Sequence, residues 1–309
     1  MSADRAASVL ARLLNRSRST GENYNLLLSR FVIERLLYRL SASPHADHFV
    51  LKGALLFALW HDSPHRPTKD ADLLGFGADD EPTLRTRFTD ICTTAADDGV
   101  RFAAETIRIA PIRHDTAYGG LRLVVTAFVG NARLPVQVDI GFGDAITPAP
   151  ERVSFPTLLD DLPAAALRAY PVYTVIAEKL HAMVVLGMAN TRMKDFFDLA
   201  TIARSTAVDG DTLTQAIRAT FSRRDTALPE ATPVALTPDF ATDPAKLQQW
   251  RAFQAKLQLR HEPLAEVVAL LGDFLVPPLL ALRANAWVGA TWNPMVRQWT
   301  VTTPDNPAI

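Results

Sequence analysis

The hydrophobic pattern of this chain changes period near residue 170, and that change limits the folds open to it. Before it, short β-rich stretches alternate with helical ones. Phe49-Val50-Leu51 reads as a strand, residues 121–130 as a second, and residues 134–140 (Leu-Pro-Val-Gln-Val-Asp-Ile) as a third, reached through a turn at Asn131-Ala132-Arg133. After it, apolar residues recur at helical spacing over 174–187, 193–204, 211–221, 245–260 and 263–276. Strands must pair and amphipathic helices must bury a face. The expectation is therefore an α+β chain, with a mixed-sheet domain over 1–165 and a mainly helical one over 166–309.

Finer boundaries follow from local chemistry. Residues 2–15 and 23–40 read as helices, the second with Leu28, Val32, Leu36 and Leu40 in one stripe. A helical run is predicted from Ala54 to Trp60, a loop from His61 to Lys69, and a strand from Asp70 to Leu74. Four prolines between 226 and 244 predict a loop there, and Pro277-Pro278 should stop the last helix.

Composition excludes several classes. With 48% hydrophobic and 21% charged residues, the chain can build a substantial core. The single cysteine, Cys92, rules out an internal disulfide framework and a cysteine-rich zinc site. Arg5, Arg12 and Arg16 break up the first apolar stretch, and no run of about 18 uninterrupted apolar residues occurs, so the expectation is a cytoplasmic protein with no membrane partner. A net charge of −1 argues against a surface uniformly coated for nucleic acid, though not against a local patch. The first 43 residues carry seven arginines against Asp4, Glu22 and Glu34. Either they form an RNA-facing surface, in which Arg16, Arg18, Arg30, Arg35 and Arg39 are little opposed, or they are the solvated faces of two helices.

The candidate chemistry begins with Lys52-Gly53-Ala54 and Asp70-Ala71-Asp72. Residues i and i+2 of a strand share a face, so Asp70 and Asp72 project together, and two adjacent carboxylates call for a cation. Hard oxygen ligands with a phosphate partner suit Mg²⁺, or Mn²⁺ in its place. A strand ending in glycine before a helix offers backbone N–H groups to a phosphate. The alternative is a solvated strand end. Asp139, between Val138 and Ile140, is a third strand carboxylate and completes the ligand set used in two-metal phosphoryl transfer. Its alternative is pairing with an arginine such as Arg122.

Two further features lie in the helical half. Lys179 falls on an apolar face with Val175, Met183 and Leu186, so it either snorkels to water or is held inward by an anion such as a triphosphate. Arg192-Met-Lys194-Asp195-Phe-Phe-Asp198 opens the next helix. The helix dipole alone would account for the two acids, but not for Arg192 and Lys194 beside them.

Taken together, the chain resembles the AbiEii/MenT-like nucleotidyltransferase toxins of the DNA polymerase β-like superfamily. The resemblance rests on residues 34–41, 49–57 (Phe-Val-Leu-Lys-Gly-Ala-Leu-Leu-Phe), 66–72 (Arg-Pro-Thr-Lys-Asp-Ala-Asp), 138–144, 175–180 and 194–198, spanning roughly 20–205. It implies a polymerase β-like core with a helical C-terminal region, Mg²⁺, a nucleoside triphosphate donor, and often tRNA as acceptor. Similar proteins add nucleotides to the tRNA 3′ end, block translation, and are commonly encoded beside an antitoxin. On that resemblance Asp70 and Asp72 hold metal, Lys179 contacts the triphosphate, and Asp195 is the acid of the last motif. Lys52, Gly53, Arg66 and Lys194 are further candidates for nucleotide binding, with the helical domain contributing Lys179 and Asp195 to the site. Where the superfamily usually carries Gly-Ser or Gly-Gly, this chain has Gly53-Ala54, which lacks the hydroxyl donor but keeps the backbone N–H. The competing readings are transfer to a protein or small molecule, and a non-catalytic binding module.

Overall fold

The computed structural model describes residues 3–61, 66–112, 119–286 and 289–301. It separates into two compact units, one of residues 1–144 with 150–170, the other of 145–149 with 171–309.

The first unit opens with helices α1 (Ala3–Thr20) and α2 (Tyr24–Ala42), the latter started by Asn23, whose side chain accepts the Leu26 N–H. Strand β1 (Phe49–Lys52) leads into a 3₁₀ turn at Gly53–Leu56 and a single-turn helix α3 (Phe57–Trp60). The helical run predicted over 54–60 is thus two short pieces, because Gly53 enters it with φ +75° and no side chain caps the turn. Of the predicted loop at 61–69, residues 62–65 lie outside the described residues. There follow β2 (Asp70–Gly75), α4 (Glu81–Thr93), β3 (Val100–Ile112), β4 (Gly120–Val129), β5 (Ala132–Phe142), β6 (Glu151–Phe155) and β7 (Ala165–Ala169).

These strands form one seven-stranded sheet in the order β3-β4-β5-β2-β1-β7-β6. It is mixed: β2 runs parallel to β5, and β1 to β7, while the other pairs are antiparallel. The α+β expectation for this half holds. The β4–β5 hairpin turns at Gly130-Asn131, slightly ahead of the predicted position, where Gly130 takes φ +55° without a Cβ clash. Ala71, Leu73, Leu123, Val125, Val138 and Ile140 alternate along their strands and are all buried, so this face of the sheet is core. The opposite face is left for the acids between them.

The N-terminal arginines do not form the basic surface allowed by the sequence. Arg39 is buried, with two hydrogen bonds to Asp98 at 2.6 and 3.0 Å. Arg35 is fully buried against Glu34 and donates to the Pro163 carbonyl at 3.0 Å. Arg30 pairs with Glu22 at 2.9 Å, and Arg5 and Arg12 share Asp161 at 3.0 and 2.6 Å. Those two guanidiniums, the hydrogen bond from Arg12 foremost, pull the Asp161 carboxyl down to about 2. Arg16 reaches the Leu158 carbonyl, while Arg18 is exposed. Glu22 and Glu34 come from the same segment, but the acids that match Arg5, Arg12 and Arg39, Asp161 and Asp98, are distant in sequence. A reading of residues 1–43 alone could not see them.

The second unit comprises α5 (Val172–Leu186), α6 (Met193–Ser205), β8 (Val208–Asp209), α7 (Gly210–Arg223), α8 (Pro238–Thr242), α9 (Pro244–Leu257), α10 (Leu264–Arg283), β9 (Ala290–Asn293) and β10 (Gln298–Val301). Beside its helices this unit carries a small sheet, β10-β9-β8. Two expectations need correction here. The proline-rich stretch contains a 3₁₀ turn at Val234–Leu236 and the helix α8, which uses Pro238 in its first turn, where a missing N–H is harmless. Helix α10 runs through Pro277 and Pro278 instead of ending there.

Those two prolines leave the carbonyls four residues earlier, on Asp273 and Phe274, without their helical donors. The indole Nε1 of Trp299 on β10 donates to both, at 3.1 and 3.2 Å. Its ring stacks on Phe274 with centroids 6.0 Å apart. The hairpin therefore supplies what the proline pair removes. Residues 172–189 and 264–283 also have the length and mean hydropathy (1.4 and 1.8) of a membrane span, although Glu178 and Lys179 interrupt the first and Glu266 and Asp273 the second. By packing they are core helices: Ile176, Leu180 and Met183 of α5, and Val267, Leu271 and Phe274 of α10, are buried.

Two measurements check this packing. Trp299→Phe keeps an aromatic ring, smaller than the indole, but removes the shared donor, and should lower the unfolding free energy in urea by about 1 kcal/mol or more; an unchanged midpoint would mean water serves both carbonyls. Arg39→Met strands a buried Asp98 charge and should cost about 3–5 kcal/mol in the same assay.

Candidate active site

Strand register builds the site. Lys52 on β1 lies opposite Asp72 on β2, Asp72 beside Asp139 on β5, and Asp139 opposite Arg122 on β4. Paired residues of neighbouring strands share a face, so the four side chains form one row: cation, acid, acid, cation. Asp70 joins the same face two residues along β2, with Gln137 as its partner on β5.

The acids at the centre come close together. One oxygen from each of Asp70, Asp72 and Asp139 lies within 4.8 Å of the other two, and all three residues are half-buried. Oxygens around Mg²⁺ sit about 2.0–2.1 Å from the ion and hence about 3–4 Å apart, so a small closure of side chains fits this donor set to a divalent cation. Thr68 Oγ1 donates to Asp70 Oδ1 and orients that carboxylate. Asp139 is held by Arg122, Nε to Oδ1 at 2.8 Å and Nη2 to Oδ2 at 2.7 Å, and by Gln137 at 3.2 Å. Both readings of Asp139 thus meet in one residue: it lies in the acidic cluster and it pairs with Arg122. The hydrogen bond to Asp139, with the charges of Asp70 and Asp72 nearby, raises the Arg122 guanidinium above its ordinary pKa.

Gly53 is fixed by its neighbour. It has φ +75°, and a Cβ there would lie 1.9 Å from Asp72 Oδ2. Only glycine lets this turn approach the Asp72 carboxylate. Lys52 reaches Asp144 at 2.9 Å and lies 5.9 Å from the Tyr170 ring centroid. Arg66 is half-buried in the segment that enters β2.

The second unit carries its own charged cluster. Lys179 Nζ donates to Asp195 Oδ1 at 2.6 Å and to Asp198 Oδ2 at 2.8 Å, with both acids fully buried. Arg192 Nε approaches Asp195 Oδ2 at 2.6 Å, an ionic contact whose N–H is not aimed at the oxygen. Lys194 is exposed. Lys179 therefore does not snorkel: anions hold it inward, and within this unit those anions are the two aspartates. Nor are Asp195 and Asp198 merely acids suited to a helix dipole. Burial opposes charge on Lys179, but the two carboxylates outweigh it and its pKa is raised. Burial likewise opposes charge on Asp195, yet Lys179 and Arg192 hold that carboxyl below its usual value.

Several contributors escaped the sequence reading as site residues: Thr68 on Asp70, Asp144 on Lys52, and Asp198 on Lys179. Only Asp198 left a usable signal, three residues from Asp195 on one helical face.

The cluster predicts a pH window. Its Lys179 contribution is present below the unfolded lysine value and lost as pH rises through the raised folded value. Its Asp195 contribution is present above the unfolded carboxylate value and lost as pH falls through the lowered folded value. Lys179→Met should cost about 3–5 kcal/mol at neutral pH by stranding two buried carboxylates. Adding Asp195→Asn and Asp198→Asn should restore much of it in the same urea titration; no recovery in the triple variant would refute the ion-pair account.

The sequence itself matches a known family. The family described as nucleotidyl transferase AbiEii toxin, type IV toxin–antitoxin system, matches residues 35–271, more than half of the chain. No curated protein matches. Among solved structures, a provisionally assigned nucleotidyltransferase from H. pylori aligns at 14% identity and TM-score 0.49, covering 85% of this chain and 99% of that one. JHP933 from Helicobacter pylori aligns at 17% identity and TM-score 0.46, covering 85% and 95%. On the family match, the chain belongs to the AbiEii nucleotidyl transferase toxin family and is a nucleotidyltransferase.

Proposed function

We propose that this chain acts in the cytoplasm as the toxin of a toxin–antitoxin pair, transferring a nucleoside monophosphate from a triphosphate to the 3′ end of tRNA and so blocking translation. Its cofactor is Mg²⁺ or Mn²⁺, and its protein partner is a cognate antitoxin. The observation that carries the transferase part is the convergence of Asp70, Asp72 and Asp139 within 4.8 Å on adjacent strands, with Gly53 making room for the Asp72 carboxylate. Those three aspartates would hold the divalent cation. When bound, the ion supplies charge neutralisation at the phosphates and a lowered pKa for an oxygen nucleophile. The chain's own residues orient the donor set: Thr68 on Asp70, Arg122 and Gln137 on Asp139. Lys52, opposite Asp72 at the end of β1, and Arg66, in the segment that enters β2, are proposed to face the triphosphate. The proposed role of Lys179, a contact with the triphosphate, requires its ammonium to share or exchange one of its two aspartates. Asp195 then serves to hold that lysine charged, and Lys194 is proposed as an exposed phosphate contact.

The acceptor rests on family resemblance. A second reading, transfer to a protein or small molecule, is favoured by one observation: the N-terminal arginines expected to face RNA are mostly spent on internal acids.

Incubation with each labelled triphosphate, Mg²⁺, and separate tRNA, protein and small-molecule fractions decides between them. The proposal expects label on tRNA as a 3′ extension, abolished by chelator. Label in the protein fraction alone would establish the second reading. Asp72→Asn should cut transfer by about a hundredfold or more, the loss expected for a group that stabilises developing charge. Removing one charge from the acidic row should leave the thermal midpoint unlowered. Full activity of that variant at limiting Mg²⁺ would dismiss the metal-ligand role.

A further inference from the structure

Asp139 brings to the acidic cluster a carboxylate with both oxygens engaged. Arg122 Nε donates to Oδ1 at 2.8 Å, Arg122 Nη2 to Oδ2 at 2.7 Å, and Gln137 Nε2 reaches Oδ1 at 3.2 Å. A two-pronged guanidinium is the strong form of carboxylate recognition and covers both oxygens in their plane. A divalent cation chelated by the cluster needs a lone pair on one of those same oxygens, at about 2.0–2.6 Å. Oδ1 accepts two donors and Oδ2 one, so a cation entering at Asp139 must share an oxygen with the guanidinium or displace it, and at this range their charges repel. The two partners differ in freedom. The Asp139 side chain is 16% exposed at mid-strand, whereas that of Arg122 is 45% exposed and has solvent to move into.

We propose that Arg122 is the built-in counter-ion of the carboxylate site, neutralising Asp139 until a divalent cation binds there and then yielding it. The inference rests on the reading of Asp70, Asp72 and Asp139 as the cation site. It adds a residue that sets how tightly the cation is held. Register makes the exchange local: Arg122 lies directly opposite Asp139 across the β4–β5 ladder, so release needs only a side-chain rotation. Gln137 stays on Oδ1 and keeps the carboxylate oriented while the guanidinium leaves.

The test is a Mn²⁺ titration of the full chain without nucleotide, with unbound Mn²⁺ followed by electron paramagnetic resonance. Arg122→Gln should bind Mn²⁺ about tenfold more tightly, roughly the worth of one charge-assisted hydrogen bond. Asp72→Asn should bind it more weakly, and Asp139→Asn should abolish the gain from Arg122→Gln in the double variant. Arg122→Gln affinity at or below wild type, with Asp72→Asn still weakened, overturns the counter-ion role and leaves the site reading standing. No effect of Asp72→Asn overturns both. Should Arg122→Gln fail to fold, the wild type gives the answer. Saturation with Mg²⁺ should move the ¹⁵N resonance of Arg122 Nε toward that of a solvated arginine, and an unmoved resonance refutes the exchange.

Discussion

Two aspartates side by side in the middle of a sheet are the constraint on which the first unit turns. Asp72 and Asp139 occupy neighbouring positions of the β2–β5 ladder, with Asp70 two residues away on the same face. Like charges at adjacent ladder positions destabilise a sheet, and partial burial sharpens the repulsion. The fold answers with Lys52 and Arg122 at the two ends of the row, and with a glycine turn laid against Asp72. The flanking strands thus support the acids electrostatically, while the reverse face, through Ala71, Val138 and Ile140, anchors them to the core. An arrangement costly to stability is what a cation-dependent phosphoryl transfer site requires, since a divalent ion relieves the same repulsion.

The second unit solves the same problem by the opposite means. Asp195 and Asp198 are fully buried, and Lys179 reaches both from the adjacent helix. Here the compensation is internal. The cluster is buried where the β-sheet acids are half-open, and its charged state is widened on both sides, with Lys179 raised and Asp195 lowered from their ordinary values. Buried ionic groups of this kind are expensive to break and have little margin, so substitutions at Lys179 must be read for folding before they are read for catalysis.

Much of the site could be seen in the residues themselves. Asp-x-Asp places two carboxylates on one strand face by backbone geometry alone, and a lone aspartate among β-branched neighbours marks a polar group facing away from the core. Lys179 on an apolar face left two readings, snorkelling or an anion such as a triphosphate, and the structure supplies Asp195 and Asp198. What stayed hidden was partnership. Arg122 was visible only as an alternative partner for Asp139, Asp144 gave no sign of Lys52, and the N-terminal arginines looked unopposed because Asp98 and Asp161 lie far along the chain. Helix α10 misled for the same reason, since the donor that carries it past Pro277 and Pro278 is Trp299, on a separate hairpin.

From sequence alone came the order of a mixed-sheet half before a mainly helical one, the buried faces, the acids that project together and the family to which they belong, all set by local periodicity and by short motifs. The tertiary structure decided strand order, the pairing of distant charges and the cation–acid–acid–cation row. These depend on register and contact between segments far apart in the chain, as where Leu51 on β1 pairs with Ala169 on β7. Local propensity fixes which way a side chain points along its own strand, but only the closed sheet fixes what it points at.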